Sequence, residues 1–171
     1  MKKLAYLILV VVIFASAFNL TAQTNAKLGY INSQELIGMM PARDSIDKKL
    51  QDYKAELENT IQTMMMEYQT KIQDYQANVA SYSEIIKKTK EKDITDLESR
   101  ITEFQQSADY DFQLKQQELY APLLEKAKNA IESVADENGY TYIFDISMGT
   151  LLYFEKGDNI MPQVKTKLGL E

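Results

Sequence analysis

From Ala42 to Ala121 the chain contains neither glycine nor proline, and an apolar or aromatic residue returns every three or four positions. One series runs Ile46, Leu50, Tyr53, Leu57, Ile61, Met64, Tyr68, Ile72, Tyr75, Val79, Tyr82 and Ile86. A second runs Ile94, Leu97, Ile101, Phe104, Ala108, Phe112, Leu119, Leu123, Ala127, Ala130 and Val134. A period of about 3.6 residues is that of an α-helix. It exceeds the repeat of about 3.5 that winds a left-handed coiled coil, so two such helices should pair as nearly straight rods. Tyrosine, methionine and alanine dilute the stripe, which suits an adaptable pair better than a rigid zipper.

Short β-like segments flank this stretch. Lys27-Leu28-Gly29-Tyr30-Ile31-Asn32 alternates polar and apolar residues and reads as a strand; Gly38 and Pro41 then punctuate the chain, with Pro41 placed to open a helix. Gly139 reads as a helix C-cap. Tyr140–Ile146 and Thr150–Glu155 read as two strands joined by a turn at Met148-Gly149, an antiparallel hairpin. Asp158 or Asn159 is placed to cap a last helix, Ile160 to Leu168, with Pro162 in its first turn. The first strand needs partners, and the other β-rich sequence lies after Gly139. A helical hairpin that turns near Lys87–Lys92 brings them together, with arms 42–88 and 92–137 each about 70 Å long. The rival is one continuous helix of about 140 Å. Strand pairing favours the hairpin. The expected class is α+β: residues 23–41 with 139–171 form a small β-rich body, and residues 42–138 form a helical-hairpin arm.

The N-terminus reads as an export signal, residues 1–22. Lys2 and Lys3 precede an apolar run from Leu4 to Phe18, and small residues at Ala22, or second at Ala17, offer a cleavage point. The run falls short of the roughly 20 apolar residues of a membrane span, which weighs against an uncleaved anchor. The chain has no cysteine, which excludes a disulfide scaffold and a lipid-modified N-terminal cysteine. Removing Lys2 and Lys3 from a chain of net charge −6 leaves −8. No general basic field exists for nucleic acid. Lys87, Lys88, Lys90 and Lys92 form one local basic run, which reads either as a solvated helix end or as a positively charged arm tip.

Histidine is absent as well, so imidazole bases, thiol nucleophiles and the common zinc sites are unavailable. No glycine-rich phosphate loop appears, and the carboxylates are scattered over solvated helix faces. The expectation is no enzyme, no catalytic residue, no metal and no cofactor. The sheet portion, residues 27–40 and 139–171, falls below the roughly 70–80 residues at which a body supplies its own core. Tyr30, Ile31, Tyr142, Ile143, Phe144, Leu151, Leu152, Tyr153 and Phe154 offer more apolar surface than one thin sheet buries. The body should therefore oligomerise. Asp145, among apolar neighbours, reads as a structural hydrogen-bonding group.

Three runs carry a family resemblance. They are Lys27–Asn32; Leu119-Tyr120-Ala121-Pro122-Leu123-Leu124 with Ala130-Ile131 and Val134-Ala135-Asp136-Glu137-Asn138-Gly139-Tyr140; and Asn159-Ile160-Met161-Pro162-Gln163-Val164 through Leu168. In this order they resemble the Skp/OmpH family of periplasmic chaperones across the mature length, with Asn159 and Met161 replacing the family's Asp and Thr. The resemblance implies a periplasmic homotrimer whose β body carries three helical-hairpin tentacles around a cavity. It implies an ATP-independent holdase for unfolded outer-membrane proteins. The family is often basic and this chain is acidic, so electrostatic capture and lipopolysaccharide binding do not carry over.

Under that reading Met64, Met65, Met66, Tyr68, Tyr75 and Tyr82 are candidate client contacts. Consecutive helical residues point about 100° apart, so at least one of the three methionines faces outward. Packing between the arm helices is the alternative for the tyrosines, including Tyr53 and Tyr110. The lysine run could touch acidic headgroups weakly and with salt dependence. Pro122 removes a helix hydrogen bond and is expected to act as a hinge for arm splay. The competing function is a structural or adaptor coiled-coil protein of the envelope that binds one folded partner.

Overall fold

The computed structural model describes residues 26–170. The expected signal peptide and its cut at Ala22 or Ala17 lie outside the described residues. In chain order the elements are β1 (Leu28–Ile31), α1 (Ser33–Met39), α2 (Ala42–Asn78), a 3₁₀ turn (Val79–Ser81), α3 (Glu84–Asn138), β2 (Tyr142–Asp145), β3 (Asp158–Asn159) and α4 (Met161–Leu168).

The two long helices return on each other as a hairpin, and the chain's ends meet in one sheet. Thr141 N–H donates to the Lys27 carbonyl at 2.8 Å, Ile146 N–H to Ile31 at 2.9 Å, and Ile160 N–H to Tyr30 at 3.1 Å. The turn comes earlier than the sequence suggested. Neither glycine nor proline makes it. Tyr82 and Ser83 adopt extended backbone, and the Ser83 hydroxyl caps α3 by accepting from Ile86 N–H at 3.4 Å. The lysine run therefore occupies the first turns of α3 rather than the bend.

The arms are also unequal. Helix α2 has 37 residues and α3 has 55, about 56 and 83 Å at about 1.5 Å per residue. The surplus of α3 is its last third, which leaves the arm and enters the body, burying Leu123, Ala127, Ala130 and Val134. Pro122 lies where α3 passes from arm to body, inside an unbroken helix. Gly139 closes α3 in the left-handed conformation, φ 69°, as expected of a glycine C-cap.

Helix α1 was not expected. Asn32 caps it by accepting from Glu35 N–H at 3.1 Å, and Leu36 drives into the core with no exposed surface. Gly38, read as punctuation, sits in its last turn.

All strands pair in parallel, in the order β2-β1-β3, with Tyr30 opposite Phe144 on one side and Asn159 on the other. The expected antiparallel hairpin does not form. Gly149 makes the anticipated turn, with φ 64° and its N–H donating to Ile146 at 3.3 Å. The chain then crosses over instead of doubling back. Strand β2 takes one edge of β1 and β3 takes the other, and residues 150–155 pair with neither.

One face of the sheet packs on α1, α3 and α4. Ile31, Leu36, Val134, Ile160 and Val164 are its most buried residues. A Cβ built on Gly29 would meet Ile160 Cγ2 at 3.0 Å and the Tyr140 ring at 3.2 Å, so β1 approaches Ile160, the N-cap of α4, as closely as glycine permits. Asn159 Oδ1 accepts from Met161 N–H at 2.9 Å and turns the chain into α4.

Candidate functional site

The face of the sheet turned away from the helices is uncovered. Alternation on β1 sends Gly29 and Ile31 inward and leaves Leu28 and Tyr30 on the other side. On β2 the outward residues are Tyr142 and Phe144, 60% and 38% exposed, with rings 6.4 Å apart. The crossover adds Leu152, 97% exposed, and Tyr153, 62% exposed. Phe154 folds back on Tyr30 at 4.8 Å between ring centroids. Leu28, Tyr30, Phe144, Leu151, Tyr153 and Phe154 line a groove of about 320 Å³, edged by Lys156. The structure thus brings Tyr30, Phe144, Leu151 and Tyr153 to one groove, with Tyr142 beside Phe144 and Leu152 exposed on the crossover. Ile31 is spent in the subunit core, and half-buried Ile143 packs beside that core. Leu28 and Met148, missed from sequence, are exposed here too. The period-two pattern of β1 already pairs Leu28 with Tyr30.

Asp145 ties this body together. Its carboxylate accepts from Ser33 N–H at 3.1 Å, from the Ser33 hydroxyl, and from Ser147 N–H at 2.9 Å. It joins the end of β2 to the start of α1, a structural role as expected. Burial pushes its pKa up, but these hydrogen bonds outweigh burial and hold it below the ordinary 3.8. A depressed carboxylate stabilises the fold above the unfolded value and loses that contribution as pH falls through the folded value. Asp145→Asn should therefore be less stable than the parent near neutrality. The gap should close as thermal melts are stepped below pH 3.8. A gap independent of pH would assign the loss to packing instead.

Along the arm, Met64 is half-buried, whereas Met65 and Met66 are 46% and 54% exposed. Tyr68, Tyr75 and Tyr82 are half-buried. The Tyr75 hydroxyl donates to Glu91 and the Tyr82 hydroxyl to Asp74 at 3.3 Å, so both are engaged within the hairpin. The hydrogen bond to Glu91 raises the Tyr75 pKa. Tyr110, 62% exposed, faces solvent rather than the partner helix, and Leu114, 44% exposed, is apolar surface that sequence reasoning left aside. Leu114 lies off both stripes, which was the available signal.

The basic run is largely neutralised by its own chain. Lys90 reaches across the hairpin to Asp74 at 2.8 Å, Lys87 pairs with Glu84 at 2.9 Å, and Lys92 pairs with Asp96. Lys90 lowers the Asp74 pKa and its own is raised in return. Lys88 has no carboxylate partner among the described residues. At the other end of the arm, Tyr120 donates to Asp47, which also meets Arg43 at 3.3 Å. The helix pair is thus pinned by polar contacts at base and tip, with apolar packing between.

Among the described residues no group of acidic side chains is placed to hold a metal ion, and no helix is long and apolar enough to cross a membrane.

A family model described as outer membrane protein (OmpH-like) matches residues 27–168. The chaperone protein Skp of Photorhabdus laumondii subsp. laumondii is 26% identical over 150 residues, covering 88% of this chain and 90% of that protein. The chaperone protein Skp of Photorhabdus luminescens matches at the same identity and coverage. With the match running from β1 to the end of α4, the chain belongs to the OmpH-like family.

Proposed function

We propose that this protein is an exported, ATP-independent periplasmic chaperone that holds unfolded outer-membrane proteins. Three copies join through the outward sheet face and the crossover, and their hairpin arms surround a cavity for the client. The observation that carries this reading is the uncovered aromatic surface of Tyr142, Phe144, Leu152 and Tyr153 on a body too small to stand alone. The arms supply what a holdase needs. They present adaptable apolar groups, Met65 and Met66 first, on a long solvated scaffold. Met64, Tyr68, Tyr75 and Tyr82 would contribute where the helix pair parts. Binding the unfolded state lowers its free concentration by mass action, with no need for a nucleotide. Pro122, at the junction of arm and body, would set arm splay.

Contact of the arm near Lys87, Lys88, Lys90 and Lys92 with acidic headgroups would be weak and salt-screened, because three of these lysines already face carboxylates.

The test uses the mature chain and several unrelated β-barrel proteins diluted from denaturant. Light scattering should fall at near-stoichiometric ratios of assembled protein to client, without added nucleotide. Failure with every unfolded client, alongside tight binding to one folded envelope protein, would establish the adaptor reading instead.

A further inference from the structure

The methionines divide sharply by exposure. Met40 and Met161 are 3% and 9% exposed in the body core, while Met39, Met65, Met66 and Met148 are 40%, 46%, 54% and 79% exposed. With no cysteine in the chain, the thioethers are its only sulfur. Met65 and Met66 are adjacent on α2 and, with Ile61, form the apolar lining of a shallow groove of about 420 Å³ edged by Glu58, Gln62 and Gln69. The sulfurs of this groove are open to a small oxidant, and they are also its apolar character.

We propose that Met65 and Met66 form an oxidation site through which hydrogen peroxide weakens the arm's apolar grip. The thioether sulfur donates a lone pair to one peroxide oxygen. The O–O bond breaks, the S–O bond forms, and the second oxygen leaves as water after proton transfer. Sulfur is oxidised by two electrons and the peroxide is reduced. The sulfoxide is polar and chiral, so an apolar contact becomes one that prefers water. Because both residues face solvent, their oxidation leaves the buried Met40 and Met161 of the body in place.

The inference rests on the holdase reading, and two readouts keep them apart. The folded mature protein is treated briefly with hydrogen peroxide and quenched. Peptide mass spectrometry then locates added oxygen, and light scattering measures client holding. Oxidation should be fast at Met148, Met66 and Met65, and slow at Met40 and Met161. Treated protein should lose most of its client holding, with circular dichroism and oligomer mass unchanged. The Met148→Leu variant, measured against its own untreated sample, should lose just as much. The Met65→Leu/Met66→Leu variant, against its own reference, should lose little. Equal loss in that variant, slow oxidation at Met65 and Met66, or full oxidation there with holding unchanged would each overturn the proposal. Untreated protein that holds no client would sink the holdase reading and the functional half of this one, while the peptide map would still decide the site.

Discussion

The double substitution Leu152→Asp with Tyr153→Ser is expected to convert the proposed trimer to single chains and abolish client holding. The subunit itself makes little use of these two positions. Leu152 is 97% exposed and Tyr153 is 62% exposed, so neither contributes appreciably to the fold of one chain. Any loss therefore reports on contacts between copies. Covering a leucine or similar side chain is worth about 1.5–3 kcal/mol, and a trimer repeats that gain at three interfaces. Burying an aspartate there adds a desolvation penalty, which Lys156 at the edge of the same groove offsets only in part. Sedimentation should move from three chain masses to one, with the helical signal retained at high protein concentration. Client aggregation should proceed as though no chaperone were added. A variant that still sediments with the parent would place the interface elsewhere, and a parent that sediments as one chain would remove the case for assembly altogether.

The sequence features that were legible are those governed by local periodicity or special backbone. The apolar spacing of α2 and α3, the Gly139 cap and the Pro41 helix start follow from one stretch of chain read by itself. The runs that carried the family resemblance were informative for a physical reason. Leu123, Ala130, Val134, Ile160, Met161 and Val164 within them are buried in the body core, where volume is constrained. What was misread depended on competition between distant segments. Residues 150–155 have the composition of a strand, yet β3 claims the free edge of β1 with only Asp158 and Asn159. Helix α1 was hidden because its glycine sits in the last turn while its cap, Asn32, was counted as the end of a strand. The hairpin bend escaped because it uses Ser83 and extended backbone instead of a strong breaker. Among candidate site residues, Ile31 was grouped with Tyr30 in the oligomerising body although strand alternation sends the two to opposite faces. The neutralisation of Lys90 could not be read locally, since Asp74 lies 16 residues away on the opposite helix.

The largest stability effect should come from Ile160, where the parallel sheet meets α4. Its side chain is fully buried, its N–H donates to Tyr30 and its carbonyl accepts from Val164 N–H at 3.1 Å. Ile160→Ala should cost about 2–5 kcal/mol and Ile160→Val about 0.5–1.5 kcal/mol, a large share of what so small a body holds in reserve. Gly29 supplies an internal check, because a Cβ there would meet Ile160 Cγ2 at 3.0 Å. Gly29→Ala alone overpacks this contact and should cost about 1–3 kcal/mol. In the Ile160→Ala background the same methyl enters the space just vacated, so its cost should shrink or reverse. The Tyr140 ring, 3.2 Å from that position, keeps the rescue partial. Urea unfolding of the four proteins at one fixed concentration, so that any association between copies contributes equally, should give a coupling of about 0.5–3 kcal/mol. Strict additivity would mean that β1 and α4 do not share this contact, and the sheet that carries the outward face would lose its anchor to the helices.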